Sequence, residues 1–86
     1  MTKKLTLDVR GLACPEPVEV VLKAADTLVD GQYLEVIHHQ EPRLLYQLLQ
    51  KRGLDFLLQT DDEPLIKILI WRQQDKAAKD AVDATV

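Results

Sequence analysis

A chain of 86 residues holds one small domain with a single core, which excludes a deep interdomain cavity and an enzyme built around a large cofactor. Hydrophobic residues make up 47% and charged residues 29%, a globular balance that excludes a disordered or fibrous chain, and with aromatics at 5% the core is aliphatic. A formal net charge of -3 argues against a dedicated nucleic-acid binder.

No apolar run reaches the roughly 18 to 20 residues of a membrane helix, and the opening Met1 to Asp8 lacks the apolar stretch of a signal peptide. The chain therefore reads as cytoplasmic, with no membrane and no direct nucleic-acid partner. Its one cysteine cannot form an internal disulfide, so stability rests on packing.

Lys3 to Val9 alternate, with Leu5, Leu7 and Val9 on one face, which predicts a half-buried strand. Gly11 permits a turn. From Pro15 onward Val18, Val21, Leu22, Ala25, Leu28 and Val29 recur at helical spacing, opposite a face of Glu16, Glu19, Lys23 and Asp26. Asp30-Gly31 ends that helix, and Tyr33 to His38 predicts the second strand.

Pro42 opens a second helix with an apolar stripe of Leu44, Leu45, Leu48 and Leu49, all read as core, and Lys51-Arg52-Gly53 closes it. Leu54 to Gln59 reads as a third strand with Leu54, Phe56 and Leu58 inward. Thr60 to Pro64 reads as a turn, and Leu65 to Arg72 as the strongest strand, with Ile66, Ile68 and Ile70 on one face. The composition then turns to Gln, Asp, Lys and Ala, which reads as a frayed helix or a mobile tail.

These elements predict an α+β two-layer sandwich of order βαβαββ, a four-stranded mixed sheet with two helices on one face. Residues 1–72 form the domain and 73–86 a polar C-terminal tail. The other sheet face presents Leu57, Leu69 and Trp71 as a contact patch, unless the tail folds over it.

The chemistry-bearing feature is Gly11-Leu12-Ala13-Cys14-Pro15-Glu16-Pro17, which sets the cysteine at a helix start fixed by two prolines. The helix dipole there favours a thiolate. Arg10 upstream adds to that effect, Glu16 opposes it, and Pro15 and Pro17 remove first-turn N–H donors, so depression of the thiol pKa is modest. A carrier needs only an exposed thiol that attacks a persulfide and later surrenders the sulfur. The bland alternative is a small buried hydrophobe.

The run Leu7-Asp8-Val9-Arg10-Gly11-Leu12-Ala13-Cys14-Pro15-Glu16-Pro17 resembles the opening signature of the TusA/SirA sulfur-carrier family, with the Cys-Pro-x-Pro motif at the expected distance. The resemblance extends over residues 5–72, and the segment from Glu41 to Gly53 looks closer to a divergent, uncharacterised SirA-like branch. It implies a βαβαββ sandwich in which Cys14 accepts sulfur from a cysteine desulfurase and hands it, as a persulfide, to a downstream acceptor protein. Arg10, Pro15, Glu16 and Pro17 are the binding residues around Cys14. The implied protein is a relay rather than a turnover enzyme, with no cofactor.

His38-His39 are auxiliary candidates for proton transfer. As neighbours on a strand they point to opposite faces and make a poor metal pair, so no metal site is assigned. Arg43, Lys51 and Arg52 read as a solvated helix face, and Asp61-Asp62-Glu63 as a solvated turn. The competing readings are a non-catalytic interaction or regulatory module that binds a partner, or itself as a weak homodimer, through Leu69 and Trp71, and a redox- or metal-responsive binder using the histidines.

Overall fold

The computed structural model describes residues 3–11, 16–39, 43–60 and 65–85. The elements run β1 (Lys3–Asp8), α1 (Glu16–Ala25), β2 (Gln32–His38), α2 (Arg43–Lys51), β3 (Leu54–Gln59), β4 (Ile66–Arg72) and α3 (Lys76–Thr85). The strands form one sheet in the order β1-β2-β4-β3, with β1 parallel to β2 and both β2–β4 and β3–β4 antiparallel. It is the mixed four-stranded α+β sheet that the alternation of strand and helix predicts.

The connections β1-α1-β2 and β2-α2-β3 both advance across the sheet in the same direction, so right-handed crossovers place α1 and α2 on one face. Beneath them lies the main core, in which Val9, Val21, Leu34, Val36, Leu45, Leu49, Ile68 and Ile70 are buried to within 1% exposure. Leu5, Leu7, Phe56, Leu58 and Ile66 complete it at its margins. This is the inward set given by the two-residue period of each strand.

The helices depart from expectation at their edges. α1 stops at Ala25 rather than continuing through Val29. The Thr27 hydroxyl donates to the Ala24 carbonyl at 2.6 Å, and the Val29 N–H donates to Gln32 Oε1 at 2.9 Å, so local side chains take over where the helical ladder ends. Leu28 remains buried, whereas Val29 is 57% exposed.

In α2 Leu45 and Leu49 are buried but Leu44 is 60% exposed, which corrects its reading as core. The Tyr46 ring stacks on Phe56 with centroids 4.2 Å apart, and this contact turns the buried face toward Tyr46 and away from Leu44. Gly53, at φ 76, makes the left-handed turn into β3.

The count of two helices also requires correction. α3 lies on the face opposite α1 and α2, where Ala78 and Val82 are fully buried against Tyr33, Leu69 and Trp71, with Leu57 and Ala81 partly buried beside them. The outward residues of β2 and β4 are too apolar for solvent, and a helix bearing small side chains can approach them closely. Burial of Val82 is worth about 1.5–3 kcal/mol and Ala78 less, so α3 is fastened by modest apolar contact. Leu69 and Trp71 are consequently covered and form no open patch.

Asp75 ties this helix to the rest of the domain. Its Oδ1 accepts the Ala78 N–H at 3.0 Å, an N-cap, while its Oδ2 accepts the Gly31 N–H at 2.7 Å across the chain. Toward β1 the same face turns polar: Glu35 is 8% exposed and faces Lys4, whose Nζ lies 3.7 Å from its carboxylate. On β3, an edge strand, the Asp55 carboxylate accepts the N–H of Phe56 at 2.9 Å.

Leu45→Ala should lower unfolding free energy by about 2–5 kcal/mol, whereas Leu44→Ala should change it by less than about 0.5 kcal/mol. Urea denaturation of the two variants checks the rotation of α2; equal losses would contradict it.

Candidate functional site

Parallel pairing sets the ends of β1 and β2 side by side, with Asp8 opposite Ile37 and the Val9 N–H donating to the Ile37 carbonyl at 3.0 Å. The chain leaves β1 through Arg10 and Gly11 and leaves β2 through His38 and His39, so these four residues gather at one end of the sheet. The N-terminal end of β4 lies there too, since His38 pairs with Ile66. Gly11 has φ 87, a left-handed conformation that a side chain would strain, and it redirects the backbone out of the sheet.

Cys14 and Pro15 lie outside the described residues, as do the side chains of Glu16 and Pro17. Glu41, Pro42 and the Asp61-Asp62-Glu63 turn lie outside them as well. Gly11 and the first residue of α1, Glu16, bracket the Cys14 segment in the chain. That segment therefore connects to the same end of the sheet as the histidines.

Arg10 grips Asp8 in a forked ion pair. Its Nε donates at 2.9 and 3.0 Å to Oδ1 and Oδ2, its Nη2 donates to Oδ2 at 2.5 Å, and its backbone N–H donates to Oδ1 at 3.0 Å. Two residues apart and both exposed, they fix each other's orientation at the strand end. The guanidinium hydrogen bonds, then the backbone N–H, hold the Asp8 carboxyl at about 2, well below its ordinary 3.8, and the nearby charge of His39 lowers it further. The carboxylate in turn raises the pKa of Arg10.

The two histidines differ in environment. His38 is half-buried, and its Nδ1 accepts the backbone N–H of His39 at 2.8 Å, so in its neutral form the ring carries its proton on Nε2. Burial first, and the neighbouring His39 second, push its pKa down. His39 is exposed and lies close enough to Asp8 to act on its charge. Among the described residues no three His, Cys, Asp or Glu side chains group as a metal site.

Sequence reasoning missed the opposite end of the molecule, where the end of α1 and the turn after it, the start of β3, and the junction of β4 with α3 surround a cleft of about 710 Å³. Arg52 donates to Asp26 at 2.7 and 3.0 Å, and Arg72 donates to both Asp30 and Asp75. Each arginine is thus matched by acids, and the cleft lies at the other end of the sheet from Asp8 and His38. Asp75 is the residue whose signal was available: an Asp directly before Lys76-Ala77-Ala78 is an N-cap pattern.

A family model described as "Uncharacterized conserved protein (DUF2249)" matches residues 6–72. The chain belongs to this DUF2249 family. Its SirA/TusA-like character agrees with two further likenesses. The chain is 37% identical over 75 residues to the Bacillus subtilis (strain 168) protein named "Putative sulfur carrier protein YrkI", covering 84% of this chain and 99% of that one. In fold it is similar to the crystal structure of the SirA-like protein from Desulfitobacterium hafniense, with a TM-score of 0.67 and 23% identity over 77% of this chain and 93% of that chain. In this DUF2249 protein the family match ends at Arg72, before α3 begins. No described helix is long and apolar enough to cross a membrane.

The depressed Asp8 pKa fixes a sign for acid stability. Because the folded value lies below 3.8, the pair contributes fully above about pH 4 and is lost as pH falls toward 2. Carboxyl NMR titration should place Asp8 at about 2 in the native chain and higher in Arg10→Ala, yet still below 3.8 because the backbone N–H of residue 10 remains a donor; an unchanged midpoint would break the assignment.

Proposed function

We propose that this DUF2249 protein is a sulfur carrier in which Cys14 takes up a sulfane sulfur as a persulfide and passes it to an acceptor. The observation that carries this reading is the 37% identity, over 99% of its length, with the Bacillus protein named as a sulfur carrier. The position of the chain's one cysteine supports it: the Cys14 segment joins the sheet end where Asp8, Arg10, His38 and His39 gather.

In loading, the Cys14 thiolate attacks the terminal sulfur of a donor's cysteine persulfide. A new S–S bond forms on Cys14, the donor's S–S bond breaks, and the donor thiolate leaves with the electron pair, so no outside oxidant is needed. In unloading, an acceptor nucleophile attacks the same terminal sulfur and restores the Cys14 thiolate. A cysteine desulfurase is the donor in this reading, a second protein the acceptor, and the cytoplasm the compartment that keeps the thiol reduced.

Arg10, steadied by Asp8, supplies positive charge at the rim for the anionic persulfide. The carboxylate offsets part of that charge, which makes the contribution short-ranged. Pro15, Glu16 and Pro17 present the cysteine to partners, and exposed His39 is the proton-handling candidate. His38, half-buried and holding the His39 N–H, orients that turn.

Incubation with a cysteine desulfurase and free cysteine, followed by intact mass measurement, should show one added sulfur atom that is removed by a thiol reductant. Cys14→Ala should add none. A wild-type chain that stays unmodified, or a Cys14→Ala chain labelled to the same extent, would defeat the proposal.

A further inference from the structure

We propose that the cleft between the end of α1, the start of β3 and the junction of β4 with α3 binds a small sugar phosphate. Arg52, Arg72 and Lys76 take the phosphate, and the acids and amides beside them take the hydroxyls. The cleft lies at the other end of the sheet from Asp8 and His38 and shares no residue with the sulfur-carrier reading, so this inference is independent of that one.

Its cations keep donors to spare. Arg52 makes both of its bonds to Asp26 through Nη1, and Arg72 reaches Asp30 and Asp75 through Nη2 alone. Among the described residues the Nε and the second terminal nitrogen of each guanidinium have no acceptor, and Lys76 forms no ion pair. A guanidinium carries five donors in a rigid fork suited to oxyanions, so two arginines and a lysine on one cleft offer a phosphate several charge-assisted bonds.

The arginines are held while the acids facing them are not. The Gln73 N–H donates to the Gly53 carbonyl at 2.9 Å, so Arg52 and Arg72 each stand one residue from the same hydrogen bond. Asp75, fixed by the Gly31 and Ala78 N–H groups, lies 3.5 Å from Arg72 Nη2 and steadies it. Asp30, by contrast, has a fully exposed side chain and Asp26 a half-exposed one. Exposed ion pairs of this kind are weak, and a phosphate dianion displaces the single carboxylate from each.

Size and composition then select the ligand. A volume of about 710 Å³ is more than a bare oxyanion fills and falls in the range of small-molecule sites. None of the lining residues is aromatic, so nothing there stacks on a nucleobase. The Gln73 and Gln74 amides, and the Asp26 and Asp30 carboxylates once displaced from the arginines, suit hydroxyl groups instead.

The test titrates the full chain with ribose 5-phosphate and with glucose 6-phosphate, read by amide NMR, with ribose and inorganic phosphate as controls. At least one sugar phosphate should shift the amides of Gly53, Gln73, Gln74 and Lys76 saturably, and bind about tenfold more tightly than either control. Arg52→Ala and Lys76→Ala, both at exposed positions, should each weaken that binding about fivefold or more. Asp30→Asn keeps a partner for hydroxyls but removes a competing charge from Arg72, and should tighten binding about threefold; an arginine that only clamps the fold gives no such gain. Absence of saturable shifts with both sugar phosphates, equally tight binding of inorganic phosphate, or unchanged affinity in Asp30→Asn overturns the proposal.

Discussion

The parallel pairing of β1 with β2 is the constraint from which the rest of the molecule follows. Two parallel neighbours cannot be joined by a tight turn, so the chain must cross over through a helix, and that crossover sets α1 on one face. The same pairing brings the exits of both strands to one end, where Asp8, Arg10, His38 and His39 meet. In the chain, the Cys14 segment lies between Gly11 at this end and Glu16, the first residue of α1.

The two ends of the sheet are built on opposite electrostatic plans. At the end where β1 and β2 exit, an exposed fork of Arg10 on Asp8 stands beside the histidines. At the far end Asp26 with Arg52, and Asp30 and Asp75 with Arg72, clamp α1, α2, β4 and α3 together. Among the described residues, the far end is cross-linked by charge between elements, whereas the ion pair at the Arg10 end lies within one strand exit.

Much of this was legible in the sequence because strand and helix periods are local. The inward sets Leu5-Leu7-Val9, Leu54-Phe56-Leu58 and Ile66-Ile68-Ile70 need no knowledge of the rest of the chain, and the element order then limits the topology. Leu44 was misread because the direction in which α2 turns is decided by Tyr46 stacking on Phe56, a contact between distant residues. Val29 was misread because α1 ends at Ala25, four residues earlier, and the Val29 N–H is taken by Gln32 Oε1 instead of a helical carbonyl.

The segment after Arg72 read as a frayed helix or a tail because its composition is polar and its apolar stripe is made of small side chains, Ala78, Ala81 and Val82. Its partner surface, Leu69 and Trp71, was visible as an unusually apolar outer face, and of the two outcomes open to it, an exposed patch or a segment folded over it, the second is found. At the candidate site Arg10 and the histidines were found from their neighbourhood to Cys14. Their convergence was not, because it depends on strand pairing.

The small hydrogen bond from Phe56 N–H to the Asp55 carboxylate reaches beyond local geometry. An edge strand normally offers a row of free backbone donors on which another chain can build, and β3, rich in Leu and Phe, would be an inviting template. Asp55 consumes one of those donors and places a negative charge beside it. The margin of the sheet is thereby made a poor template for strand-by-strand extension, so copies of the chain that meet along β3 part again rather than build fibres.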